Sequence, residues 1–247
     1  MRHYAAIASV LASAAAFWLP PASAGSFTIS PLRADLSQQS TTAAITVRNE
    51  DAASVIIQAE AFAWSQSAGE DKLEATKDLL VSPAVFTLPP KGAQLVRVAL
   101  RRPADPKREL SYRLTLLEVP PQASPDFVGL TVALKLSLPV FVASMSPSPA
   151  ELAWSATRNP GGELVLRAAN DGETHARILS YSLTPLTGTA GPLQQSVAAY
   201  VLPGAARTWT IDTNNKNPDG STATADRYRL KANTERGEVD AELTVAR

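Results

Sequence analysis

The feature that most constrains this chain is the alternation in residues 127–142, FVGLTVALKLSLPVFV. Every even position from Val128 to Val140 carries Val or Leu, whereas the odd positions from Thr131 to Pro139 are small, polar or proline. A β-strand directs alternate side chains to opposite faces at about 3.3 Å per residue, so this stretch predicts a strand with one apolar face about 40 Å long. Because an ordinary strand has about five or six residues, this one can pair within its own sheet and still project beyond it. The alternative is a long core strand of a β-sandwich.

Residues 1–24 have the pattern of a secretory signal peptide. Arg2 precedes an apolar run that ends at Leu19, and the small-x-small sequence ASA follows at positions 22–24. The apolar run is shorter than the roughly 20 residues that a membrane-spanning helix needs. We therefore expect cleavage after Ala24 and export of the remaining chain.

The composition favours an all-β chain. The sequence has 19 prolines, 12 glycines and many short Val, Leu and Thr runs bounded by turn residues, which is typical of β-sandwiches. It contains no cysteine, so its cores must be stable without disulfides. A formal net charge of zero argues against a nucleic-acid partner, which would require a basic face.

The alternating runs predict two β-sandwich domains, the first of immunoglobulin type. The first spans residues 25–143, the second spans residues 151–247, and the Ser/Pro-rich residues 144–150 form the linker. Residues 65–71 are predicted to be a polar loop. In the first domain we predict strands at residues 26–36, 43–48, 54–64, 110–119 and 127–142, with two more within residues 79–100. In the second domain we predict strands at residues 151–157, 163–169, 176–183, 196–202, 208–212, 227–232 and 238–245.

The side-chain inventory does not favour catalysis. After cleavage His175 is the only histidine, and without cysteine neither a nucleophilic triad nor a zinc site is easily assembled. The sequence has no calcium-loop spacing and no Gly-rich phosphate loop. We therefore predict no enzyme activity, no metal and no cofactor. His175 lies in the turn sequence NDGETH and is predicted to be a surface side chain.

Several motifs together resemble the periplasmic chaperones of the chaperone-usher pathway of pilus assembly. In the first domain they are LVSPAVFTLPPKGAQLVRV at residues 80–98, ELSYRLTLLEVP at residues 109–120 and SLPVFV at residues 137–142. In the second domain they are AANDGETH at residues 168–175 and YVLPGAARTW at residues 200–209. SLPVFV and YVLPG resemble the branch of this family that is called archaic.

The resemblance implies two immunoglobulin-like domains in a boomerang arrangement, with a cleft between them. Pilin subunits of this pathway are incomplete sandwiches, and the chaperone completes them with its long G strand, a known form of strand addition called donor-strand complementation. Residues 127–142 match this strand. The side chains implied to insert into the subunit are Val128, Leu130, Val132 and Leu134, whereas Leu136, Leu138 and Val140 would stay in the chaperone's own core.

The resemblance also implies an anchor for the C-terminal carboxylate of the subunit. In familiar members an Arg on the first strand and a Lys on the G strand bind this group. Arg33, in SPLRADL, matches the Arg, but the Lys position falls on Pro139, which carries no charge. Arg113 on the neighbouring strand is the candidate replacement because it lies opposite the apolar side of Tyr112 and Leu114. The alternative is that Arg113 is a solvated surface arginine.

Arg97 and Glu109 match a third feature of the family. There, an Arg/Glu pair belongs to an ion-pair network that holds the two domains in register. The third member is an acid in the second domain, for which Asp219 is the candidate.

The family implies a periplasmic chaperone that acts in fimbrium biogenesis. It would bind and stabilise pilin subunits and deliver them to an outer-membrane usher without ATP, and a free copy could cap its strand as a dimer. One alternative is an exported two-domain sandwich that binds a carbohydrate or a surface ligand through aromatic loops, but Trp64, Trp154 and Trp209 fall in or beside strand-like runs. The other alternative is a secreted hydrolase. The absence of cysteine and the presence of a single histidine after cleavage argue against it.

Overall fold

The computed structural model describes residues 26–120, 132–188, 191–212 and 225–246. All regular secondary structure in these ranges is β-strand, and the strands form two sandwich domains. The predicted all-β class is therefore confirmed. None of the described ranges contains a helix that could cross a membrane.

Ten strands form the first domain. They are β1 (Phe27–Ser30), β2 (Ala34–Leu36), β3 (Thr42–Asn49), β4 (Val55–Ser67), β5 (Glu70–Ala75), β6 (Leu79–Ser82), β7 (Val85–Leu88), β8 (Ala93–Leu100), β9 (Leu110–Val119) and β10 (Lys135–Val142). One sheet has the order β1-β3-β8-β6, and the other has the order β2-β10-β9-β4-β5, with β7 also paired to β4. All pairs are antiparallel except β2 with β10.

The first predicted strand, residues 26–36, changes sheet at its proline. β1 pairs with β3 up to Ser30, and from Ala34 onward β2 pairs with β10 in the other sheet. Pro31 lies between the two strands, where its missing N–H breaks no ladder. The proline therefore marks the crossing from one sheet to the other.

Residues 65–71 do not form the predicted loop. β4 continues to Ser67, a two-residue turn follows at Ala68 and Gly69, and β5 begins at Glu70. Both turn residues have positive φ (53° and 84°), the geometry of the tight hairpin turns that glycine adopts without strain. Because all of β5 is exposed, its sequence has no apolar alternation from which a strand could be recognised.

Residues 79–100 contain three strands rather than the two predicted. β6 pairs with β8 in one sheet, whereas β7 pairs with β4 in the other. Pro83 lies between β6 and β7 at the point where the chain changes sheet. The run LLVSPAVFTL therefore looks continuous in sequence but contributes to both sheets.

Strand β10 is built into the first domain by its even-numbered side chains. Leu138, Val140 and Val142 are buried in the core between the two sheets, and Leu136 packs against that core. The strand is antiparallel to β9 along its whole length and parallel to β2 at its C-terminal end. The expectation that Leu136, Leu138 and Val140 belong to the chain's own core is confirmed.

The second domain has a strand at each of the seven places predicted. They are β11 (Leu152–Arg158), β12 (Leu164–Asn170), β13 (Ala176–Pro185), β14 (Leu193–Val201), β15 (Ala206–Ile211), β16 (Arg227–Thr234) and β17 (Gly237–Ala246). β14-β13-β16-β17 and β11-β12-β15 form the two layers, joined by a short parallel pairing of β11 with β17. The core contains the buried rings of Tyr181 and Tyr228. The domain boundaries and the linker at residues 144–150 stay predictions.

Candidate binding site

Strand β10 begins at Lys135, later than predicted, and residues 132–134 before it are not in a strand. Burial of the alternating apolar positions decreases from β10 toward these residues. The side chains of this face at positions 138–142 are buried in the core, and Leu136 and Leu134 are half-buried. Val132 is 61% exposed. The apolar face therefore extends beyond the core that it helps to form.

Backbone pairing with β9 continues to the residue before β10. The N–H of Glu118 donates to the carbonyl oxygen of Leu134 (2.9 Å), and the N–H of Leu134 donates to the Glu118 carboxylate (3.2 Å). Three predicted residues lie outside the described part of the chain: Val128, Leu130 and Asp219.

The two domains meet at a cluster of aromatic side chains. Phe141, on the other face of β10, and Trp64 of β4 are 2% and 4% exposed and pack with Leu202 of the second domain. The ring of Tyr200 on β14 lies 5.7 Å from that of Trp64 and 5.5 Å from that of Phe141. Strand β10 therefore contacts the second domain directly through Phe141.

His175 is not the surface side chain that its turn predicts. Its side chain is 11% exposed, and its ring stacks on Phe141 with centroids 3.7 Å apart. Its Nδ1 lies 2.7 Å from Oε1 of Glu109, and its backbone N–H donates to the same oxygen (3.1 Å). The prediction was wrong because the first domain covers this turn, a contact that the local sequence does not reveal.

Glu109 lies at the domain junction, but the structure does not bring Arg97 to it. Glu109 is 8% exposed and bonds to His175 instead. Arg97 is exposed on β8 because Val96 and Val98 on either side of it point into the core. Within the described ranges no group of three His, Asp or Glu residues could hold a metal ion.

The β4–β5 hairpin makes further contacts between the domains. Gln66 accepts a hydrogen bond from the Leu202 N–H (3.0 Å), and Arg207 donates to the Gly69 carbonyl (2.6 Å). Arg207 also forms an ion pair with Asp71. Residues 65–71, predicted as a polar loop, are therefore part of the domain junction.

Arg33 connects the two domains through an ion pair. Its Nε donates to Asp35 (2.9 Å), and its Nη1 donates to Glu235 of the second domain. Burial alone would raise the pKa of Glu235, but the hydrogen bond and the charge of Arg33 hold that pKa below its usual value. The carboxylate of Glu235 is therefore stabilised in its charged form by folding.

Glu235→Gln is expected to reduce the loss of stability that the protein shows in acid. Because the folded-state pKa of Glu235 lies below the ordinary value of 4.5, its carboxylate stabilises the fold above that pH. This contribution, about 0.5–1 kcal/mol for a partly exposed pair, is lost as the pH falls through the lowered pKa. The unfolding midpoint should therefore fall less in Glu235→Gln than in the wild type below pH 4.5. Glu238→Gln is the control, and parallel profiles for Glu235→Gln and wild type would contradict this account.

Arg113 lies beside Pro139 and is half-buried. The pairing of β9 with β10 places these two residues directly opposite each other. The guanidinium carbon of Arg113 lies 3.7 Å from the ring centre of Trp64 and 5.8 Å from that of Tyr200. Burial lowers the pKa of Arg113, although the charge of Asp71 opposes this effect. Arg113 is thus a cation held among aromatic rings rather than a solvated surface arginine.

Comparison with known proteins identifies the first domain. Residues 26–147 match the family model of the PapD N-terminal domain, described as a pili and flagellar-assembly chaperone. Over these residues the first domain is similar to that chaperone family. The match confirms the resemblance inferred from the sequence motifs. No curated protein matches the chain by sequence.

Solved structures of pilus chaperones share the fold of this chain across both domains. One is the CsuC–CsuE chaperone–tip adhesion subunit complex from archaic Csu pili of Acinetobacter baumannii, with 20% identity, a TM-score of 0.64 and coverage of 90% of this chain and 100% of that chain. Another is the Salmonella enterica SafA pilin in complex with the SafB chaperone (17%, 0.61, 90% and 97%). A third is the E. coli chaperone DraB (18%, 0.59, 89% and 97%). At these identities the similarity establishes the fold, and it confirms two immunoglobulin-like domains.

Proposed function

We propose that this chain is a periplasmic chaperone that binds pilin subunits by donor-strand complementation and delivers them to an outer-membrane usher. The observation that carries the proposal is the loss of burial along the alternating apolar positions from β10 toward the residues before it, where Val132 is 61% exposed. The alternating positions from Leu136 to Val142 are held in the first core, whereas Val132 lies outside it. Such a strand is suited to fill the groove of an incomplete sandwich. The family of the first domain supports the same role.

The proposed subunit-binding side chains are Val128, Leu130, Val132 and Leu134. Burial of four such side chains contributes about 6–12 kcal/mol before the costs of ordering and association. Main-chain hydrogen bonds of the added strand supply further affinity, while the alternate side chains supply specificity. Binding of this kind requires neither ATP nor a cofactor.

Arg33 and Arg113 are the proposed contacts for the subunit's C-terminal carboxylate. The pairing of Ala34 with Val140 brings Arg33 to one side of Pro139, and Arg113 stands on its other side on β9. Pro139 itself carries no donor for an anion. Charge-assisted hydrogen bonds to a carboxylate contribute about 1.5–3 kcal/mol each, so loss of a true contact would be measurable.

The proposed route places the chaperone in the periplasm after removal of residues 1–24. There the proposed subunit-binding side chains would be covered by a subunit until the usher accepts it. In the absence of subunits, a second copy of the chain could cover the same face in a dimer.

The test is co-expression in a periplasm with each pilin-like protein from the same source, followed by affinity isolation of the chaperone and native mass spectrometry. The expected product is a one-to-one complex with a pilin-like protein. Recovery of the chaperone alone from a panel that contains every such protein would overturn the proposal.

The carbohydrate-binding alternative gains no support from the described tryptophans. Trp64 is buried at the domain junction, and Trp154 and Trp209 stack on each other at 6.0 Å against the core of the second domain. A sugar platform needs exposed aromatic rings, whereas Trp64 is buried and Trp154 and Trp209 are half-buried and stacked on each other.

A further inference from the structure

A cleft of about 500 Å³ opens between the domains next to Pro139. Its walls carry one arginine from each domain, Arg33 and Arg177, whereas Arg113 does not line it. The other residues on its walls are Pro31, Leu32, Asp35, Tyr200 and Glu235. The cleft therefore offers two cations to an anion that reaches Pro139.

Arg33 is already engaged by acids on both sides. Its Nε bonds to Asp35 and its Nη1 bonds to Glu235, and only Nη2 has no hydrogen bond among the described residues. Arg33 has donors left, but its charge is balanced by these two carboxylates. An anion that enters the cleft must compete with Glu235, so Arg33 alone provides little net attraction.

Arg177 differs because it forms no ion pair within the described part of the chain. Its Nε is buried and has no hydrogen-bond acceptor. Its guanidinium carbon lies 5.4 Å from the ring centre of Tyr200. The charge of Arg177 helps to lower the pKa of Glu235, but the ion pair of Glu235 is with Arg33. A buried donor without an acceptor costs free energy, and a bound ligand that accepts from it would remove this cost.

We infer that Arg177 supplies the positive charge that Pro139 removes from β10 and that, together with Arg33, it binds the C-terminal carboxylate of a pilin subunit. This inference rests on the proposed function because it names a further contact of the same site. A carboxylate in the cleft would give the Nε of Arg177 its missing acceptor through a charge-assisted hydrogen bond. It would also connect the two domains, so that subunit binding depends on the domain junction as well as on β10.

The test uses the full-length chaperone and the intact subunit that co-purifies with it. The subunit is prepared by ligation with either a free C-terminal carboxylate or a C-terminal amide, and it is refolded from denaturant into increasing concentrations of chaperone. Wild-type chaperone should capture the acid form at about 10- to 100-fold lower concentration than the amide form. Arg177→Ala should reduce this ratio to less than about 3-fold, and Arg177→Lys should restore part of it. Arg229→Ala, which removes an exposed ion pair with Asp240 in the second domain, is the matched control and should leave the ratio unchanged. Arg113→Ala is measured beside it.

Each other outcome has a distinct meaning. An acid-to-amide ratio that survives in both Arg177→Ala and Arg177→Gln overturns the inference, and its loss in Arg113→Ala instead assigns the anchor to Arg113. Equal capture of both forms by the wild type also overturns it, since no carboxylate contact then exists. Failure of the wild type to capture either form overturns the proposed function itself. Thermal unfolding of each variant verifies that its fold is intact.

Discussion

Val132→Asp is expected to abolish capture of pilin subunits while leaving the chaperone folded. Val132 is 61% exposed and outside the core, so a carboxylate at this position remains in water in the free protein. In the proposed complex the same position is buried in the subunit groove. Loss of a buried valine costs about 1.5–3 kcal/mol, and burial of an unpaired carboxylate costs more. The affinity should therefore fall by at least about 100-fold, measured by refolding a denatured subunit with chaperone and quantifying the complex by gel filtration.

Ala133→Asp is the matched control for this prediction. Ala133 is adjacent, is also exposed and belongs to the opposite face of the alternating stretch. The variant adds the same charge but does not enter the groove, so its affinity should remain close to that of the wild type. Leu130→Asp should behave like Val132→Asp. Wild-type capture by Val132→Asp, or an equal loss in both neighbouring variants, would contradict donor-strand binding.

Asn170→Ala is expected to destabilise the second domain by about 3–5 kcal/mol. Asn170, at the end of β12, is fully buried. Its amide nitrogen donates to the carbonyl oxygens of Thr174 (2.8 Å) and Val201 (3.0 Å), and its oxygen accepts from the N–H groups of Glu151 (3.1 Å) and Gly172 (3.1 Å). Alanine would leave these backbone groups without their partner in the interior, and each unsatisfied group costs about 1–3 kcal/mol.

Urea unfolding followed by tryptophan fluorescence measures this effect, because Trp154 and Trp209 lie against the core of the second domain. The control is Asn233→Ala, which removes a single hydrogen bond to Ser180 at an exposed position. Its unfolding midpoint should stay close to that of the wild type. If Asn170→Ala unfolded at the same urea concentration as Asn233→Ala, the buried network would not have the structural role described.

The strands follow from sequence wherever one face of the strand is buried. The period-two pattern predicts all seven strands of the second domain, whereas the resemblance to the family assigned positions 136–140 to the first core. It misses β5, whose residues are all exposed, because a strand without a buried face has no apolar period. It also merges β6 with β7, because both halves of that run are apolar although they belong to different sheets.

The domain junction was much less predictable. Glu109 meets His175 at a separation of 66 residues, and Arg33 meets Glu235 at a separation of 202 residues. Periodicity and turn chemistry describe neighbouring residues and contain no information about such contacts. Resemblance to a family placed Glu109 at the junction but paired it with Arg97, and it did not point to Arg177 at all.

The measurement that tests the account most directly is site-specific photo-crosslinking of the chaperone to its co-purified subunit. A photoreactive phenylalanine analogue is placed at position 132 or, as the control, at position 133, and the crosslinked residues are located by mass spectrometry. Donor-strand binding predicts a strong crosslink from position 132 to the groove of the subunit and a much weaker one from position 133. Equal crosslinking from both positions, or no crosslink from position 132 within an intact one-to-one complex, would contradict the central claim.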